Sequence, residues 1–149
     1  MKVWRGAALV IVGTVAGFVW NAVSGRGIAL TQNVFIEEGD ALIEAAAAKV
    51  QLDNGVLFLD ARPRAFYEME HIPGSLPLPE DDFAAAFAEL EPRLRDELSV
   101  IVYCSGYGCE ASHIVARKLQ EQGVAAQILH EGWPAWLDAG YPIKEGPEP

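Results

Sequence analysis

The stretch that decides the fold is residues 98–130, LSVIVYCSGYGCEASHIVARKLQEQGVAAQILH. "LSVIVYC" (Leu98 to Cys104) is a short apolar run of the kind expected from a strand covered on both faces. "EASHIVARKLQEQG" (Glu110 to Gly123) has the composition of a helix, with Gly123 placed to end it. "AAQILH" (Ala125 to His130) is a further short apolar run. Strand, helix and strand in immediate succession are the pattern of a parallel sheet, because a helix must carry the chain back before the next strand begins.

The alternation continues on either side. "GVLFLD" (Gly55 to Asp60) reads as another buried strand, and "DALIEAAAAKV" (Asp40 to Val50) as a helix capped by Asp40. "ARPRAFYEMEHIPGSLPLP" (Ala61 to Pro79) holds four prolines and is predicted to be mostly loop, with one helical turn. "EDDFAAAFAELEPRL" (Glu80 to Leu94) has acids at its front and alanines within, which predicts a second helix. "WPAWLDAG" (Trp133 to Gly140) reads as a short closing helix on which Trp133 and Trp136 share one face and fill the core. The expected fold is α/β: one domain over residues 34–149, a parallel sheet with helices on both faces.

Ahead of it, "GAALVIVGTVAGFVWNAV" (Gly6 to Val23) runs for 18 residues without a charge. As a helix it would span roughly 27 Å, close to the hydrocarbon thickness of a bilayer. The favoured reading of residues 1–26 is a single hydrophobic helix anchoring the chain in a membrane, with residues 27–33 as a tether. The alternatives are a signal segment cleaved at Ala22-Val23-Ser24, which would leave a secreted protein, and a buried core helix. Lys2 and Arg5 precede the segment while Arg26 alone follows closely, so the expected orientation has a cytoplasmic N-terminus and an extracytoplasmic domain, periplasmic or equivalent.

The net charge of −10 conceals an asymmetry. From residue 27 onward, eight basic residues face all 21 acidic ones, a net of −13. Such a surface argues against nucleic acid as a partner.

The only two cysteines, Cys104 and Cys109, stand in one loop, "CSGYGCEA" (Cys104 to Ala111). Ligands of open α/β sheets bind beyond the carboxyl ends of the strands, where Cys104 falls. A glycine-containing loop running into a helix start can gather backbone N–H groups and helix-dipole charge there, which stabilises a thiolate. Two cysteines with His113 cannot complete a tetrahedral zinc site, so no metal is expected. A Cys104–Cys109 disulfide and an inert buried Cys104 both stay open at this level.

Three segments in this order resemble the rhodanese homology domain: "FLDARPRAFYEMEHIPGSLPLP", "IVYCSGYGCEAS" and "LHEGWPAWLDAGYPI". The last resembles a closing pattern L-x-G-G-W-x-A-W-x-x-A-G-Y-P. The resemblance implies a sulfurtransferase without cofactor. Its Cys104 thiolate would take sulfur from thiosulfate or a similar small donor and pass the persulfide to a thiol acceptor. The backbone of Ser105, Gly106, Tyr107, Gly108, Cys109, Glu110 and Ala111 would cradle the anion. Asp60 and Arg62 would form a supporting pair, and His71 would be a hydrogen-bonded turn residue.

Two departures bear on chemistry. Many active members follow C-R-x-G-x-R, whereas this loop has no arginine, carries Glu110 and is longer by about two residues. A dianionic phosphate would be repelled there, and thiosulfate similarly, so a less charged sulfur donor is expected. The second is Cys109, which can resolve a persulfide or sulfenic acid at Cys104 to a disulfide. The alternative function is therefore a non-catalytic or thiol-redox module docking a membrane protein partner.

Overall fold

The computed structural model describes Thr14, Trp20 and residues 40–149. The chain divides into two compact units, Met1–Val34 and Phe35–Pro149. The expected hydrophobic helix at residues 6–23 and the tether at 27–33 lie outside the described residues, apart from Thr14 and Trp20, which are helical and exposed. Among the described residues no helix is long and apolar enough to cross a membrane.

In the second unit the chain runs β1 (Leu42–Ile43), α1 (Ala45–Asp53), β2 (Leu57–Asp60), α2 (Arg64–Met69), β3 (Glu70–His71) and β4 (Leu76–Pro77). A 3-10 turn at Glu80–Asp82 leads into α3 (Phe83–Leu94), followed by β5 (Val100–Tyr103), α4 (Ala111–Glu121), β6 (Ala126–Leu129), α5 (Gly132–Asp138) and β7 (Lys144–Glu145). Five strands form a sheet in the order β1-β6-β5-β2-β4, and every pairing in it is parallel.

Strand residues alternate between two cores. Leu57, Leu59, Val100, Val102, Ala126 and Ile128 pack with α3 and α4. Phe58, Ile101, Tyr103 and Leu129 turn the other way, onto Ala48 of α1 and Trp133 and Trp136 of α5. Each large side chain so enclosed contributes about 1.5–3 kcal/mol. Helices therefore cover both faces, which is why these strands read as unbroken apolar runs rather than as alternating ones.

Two expectations are corrected. The first helix begins at Ala45 and not at Asp40, because Leu42 and Ile43 pair with Ile128 and Leu129 as an edge strand. The N-cap of α1 is Glu44 rather than Asp40, whose carboxylate accepts from His113 Nδ1 at 2.6 Å. Residues 61–79 hold more structure than one turn. Besides α2 they contain β4 and β3, and β3 pairs antiparallel with β7 near the C-terminus.

Candidate active site

Cys104 follows directly on β5, the central strand, whose register sets Asp60 beside Tyr103. By the alternation along that strand, Cys104 turns toward the core beneath α4 and is 2% exposed. Its Sγ is bonded to Cys109 in a disulfide, with the two Cα atoms 6.4 Å apart, within the usual span. Ser105, Tyr107, Gly108 and Glu110 are exposed, Gly106 and Cys109 half-buried, and Ala111 opens α4. The loop folds back on itself through the Cys109 N–H, which donates to the Gly106 carbonyl at 3.0 Å. Gly106 and Gly108 both take positive φ, 115° and 72°, the backbone geometry from which anion-binding nests are built.

The start of α5 is interlocked with this loop. The Trp133 N–H donates to the Cys104 carbonyl at 2.8 Å. At Gly132 a Cβ would land on that same carbonyl, so only glycine permits the approach. A Cβ on Gly106 would lie 2.8 Å from Pro134 Cγ. At the loop tip the Tyr107 hydroxyl donates to the Glu131 carboxylate. Sequence reasoning missed Glu131. The available signal was its place in "LHEGW", where the family pattern has the first glycine of its pair.

On the opposite face of the sheet from Cys104 lies a buried polar cluster. Arg62 grips Asp60 through Nε, at 3.0 Å to both carboxylate oxygens, and through Nη2, at 2.7 Å to Oδ2. Nη2 also donates to the Glu70 carbonyl at 2.7 Å. The guanidinium carbon stands 4.4 Å from the centre of the Trp133 ring and 5.4 Å from that of Tyr103. The Tyr103 hydroxyl accepts from the Ile72 N–H at 3.3 Å and pairs with Ser75 Oγ at 3.1 Å. Burial, and after it the Asp60 carboxylate, push the Tyr103 hydroxyl far above the ordinary phenol range. His71 is fully buried, donates from Nδ1 to the Tyr67 carbonyl at 2.9 Å and stacks on the Tyr67 ring. These groups support the strand end; Asp60 and Arg62 are not brought to the sulfurs.

The mouth of the loop is acidic. The hydrogen bond to Glu131 is the main cause that raises the Tyr107 hydroxyl, with the charges of Glu131, Asp138 and Glu44 adding to it. No lysine or arginine stands between Cys104 and Ser112. Among the described residues no group of three His, Cys, Asp or Glu side chains could hold a metal ion.

A family model for the rhodanese-like domain matches residues 44–139. The chain is 29% identical over 107 residues to an HTH-type transcriptional regulator of Mycobacterium tuberculosis, a match covering 72% of this chain and 46% of that protein. It thus spans less than half the length of that relative. The BH2092 protein from Bacillus halodurans superposes with a TM-score of 0.64 at 21% identity, over 72% of this chain and 79% of the other. A thiosulfate sulfurtransferase from Pseudomonas aeruginosa superposes with a TM-score of 0.61 at 25% identity, over 78% of this chain and 22% of that one. With its parallel sheet, its cysteine loop at the end of the central strand and its matched residues, the chain belongs to the rhodanese-like domain family.

Proposed function

We propose that this chain is a sulfurtransferase that carries sulfane sulfur as a persulfide on Cys104. The observation that carries the reading is the placement of Cys104, at the carboxyl end of the central strand and at the entry of a glycine loop leading into α4. In the reduced chain the Cys104 thiolate attacks the outer sulfur of the donor. The donor's sulfur–sulfur bond breaks, and its remaining part leaves with the bonding pair. An acceptor thiolate then attacks the terminal sulfur of the persulfide and regenerates the Cys104 thiolate. Because the mouth is acidic and the loop has no basic residue, donors with little negative charge are preferred to thiosulfate.

The membrane anchor at residues 6–23, with the domain on the extracytoplasmic side, is part of this proposal. The 18 uncharged residues support it, and so does the Cys104–Cys109 disulfide, since such bonds persist in oxidising compartments. The disulfide also favours a second reading, because it occupies the Cys104 sulfur. On that reading the domain is a thiol-redox or docking module for a membrane protein.

The test uses full-length chain reduced and freed of reductant, in a Cys109→Ser form that cannot close the disulfide and in Cys104→Ser. Each is incubated with thiosulfate or with cysteine persulfide, and intact mass is recorded. A gain of one sulfur that requires Cys104 supports the transferase. No gain with either donor overturns it in favour of the redox module.

A further inference from the structure

We infer that Cys109 is a resolving thiol that gives the chain a second activity, the reductive release of hydrosulfide from the persulfide on Cys104; this rests on the persulfide reading above. The disulfide shows that the two sulfurs reach bonding distance in this fold. The loop that joins them is built for that approach. Gly106 and Gly108 supply the positive φ angles, and the Cys109 N–H bonds the Gly106 carbonyl, turning the chain so that Cys109 packs against the core that encloses Cys104.

An external thiol must reach a residue that is 2% exposed in the bridged chain, under a loop whose tip is held to Glu131 by Tyr107. Cys109 is already in place, so its attack is intramolecular and is favoured by effective concentration. The Cys109 thiolate attacks Cys104 Sγ, the inner sulfur of the persulfide. The bond between Sγ and the terminal sulfur breaks, and the terminal sulfur leaves with the electron pair as hydrosulfide. Both cysteine sulfurs are oxidised to the disulfide while the sulfane sulfur is reduced. A dithiol reductant then restores the two thiols by exchange, becoming a disulfide itself.

The discriminating experiment loads reduced full-length chain with one equivalent of cysteine persulfide and removes the small molecules. Released hydrosulfide and intact mass are then followed in wild type and Cys109→Ser. Wild type is expected to release one hydrosulfide per chain and to end at the mass of the disulfide. Cys109→Ser should keep its extra sulfur, releasing hydrosulfide only when an external thiol is added. Added dithiothreitol should give repeated release from wild type when donor is in excess. A wild-type chain that holds its extra sulfur as long as Cys109→Ser does, on either cysteine, overturns the inference while leaving the transferase reading intact. Failure of Cys109→Ser to acquire sulfur at all overturns the transferase reading, and the resolving role with it.

Discussion

The carboxylate of Glu131 accepts a hydrogen bond from the Tyr107 hydroxyl across the mouth of the cysteine loop, and Glu131 holds that position with a left-handed backbone, φ 60° and ψ 2°. It is the one non-glycine residue with positive φ among the described residues. A side chain in that conformation costs about 1 kcal/mol. The exposed hydrogen bond returns only part of it.

Glu131→Gly relieves that strain but also loses the Tyr107 bond, so the thermal unfolding midpoint is expected to rise by about 2 °C, half the shift that roughly 1 kcal/mol produces in a domain of this size. Glu131→Ala keeps the strained backbone and loses the Tyr107 bond, so its midpoint should fall below that of wild type. Thermal unfolding of the three chains by circular dichroism decides it. A glycine variant no more stable than the alanine variant would show that the left-handed position carries no strain.

The Asp60–Arg62 pair is buried on both sides, with four hydrogen bonds between the two residues. Asp60→Ala leaves a guanidinium enclosed without its counter-charge and is expected to cost about 3–5 kcal/mol. Removing both charges, as Asp60→Ala with Arg62→Met, should cost clearly less than the sum of the single changes. Urea unfolding midpoints of the four chains test this. Strict additivity would mean that the pair is not coupled.

Alkaline pH should weaken the fold through two buried phenols. Burial, followed by the Asp60 charge, raises the Tyr67 hydroxyl from 10.0 to about 12, while Tyr103 is raised further for the same reasons. A raised pKa means that the folded chain keeps protons which the unfolded chain gives up. Their stabilisation is whole below pH 10.0 and is lost as the pH climbs to about 12 and beyond. In that window stability should fall by up to about 1.4 kcal/mol per pH unit for each tyrosine. Urea titrations at successive pH values measure the slope. A flat profile between those limits contradicts it.

Charge should also be legible in kinetics. Raising ionic strength from about 0.01 to about 0.15 M shortens the Debye length from about 30 to about 8 Å. With a net charge of −13 from residue 27 onward, kcat/KM for thiosulfate is expected to rise several-fold over that range. A sulfur donor without net charge should show little change. Equal responses from the two donors would remove the electrostatic argument for donor choice.

The sequence carried the central strands plainly, because β2, β5 and β6 are buried on both faces and their apolar runs stop at polar or glycine-bearing turns. β1, β3, β4 and β7 were not legible. Each is only two residues long and shows no period, and Glu70–His71 meets its partner Lys144–Glu145 across about half the chain. The alanine-rich run after Leu42 concealed the edge strand in the same way, since its helix propensity extends the expected helix backward over Leu42 and Ile43. At the site, the cysteine loop and the Asp60–Arg62 pair were readable from local sequence. The clasp between Tyr107 and Glu131 was not, because it depends on how α5 meets the loop.

Trp133 hangs by its backbone from the Cys104 carbonyl, and its indole lies over the Arg62 guanidinium. A shift of the Cys104 backbone would therefore move the peptide that seats this indole. Trp136 is fully buried against Phe58 and Tyr141 and has no such link to the loop. A bridged and an opened Cys104 are therefore expected to differ in tryptophan emission, a difference that Trp133→Phe should abolish while Trp4, Trp20 and Trp136 remain.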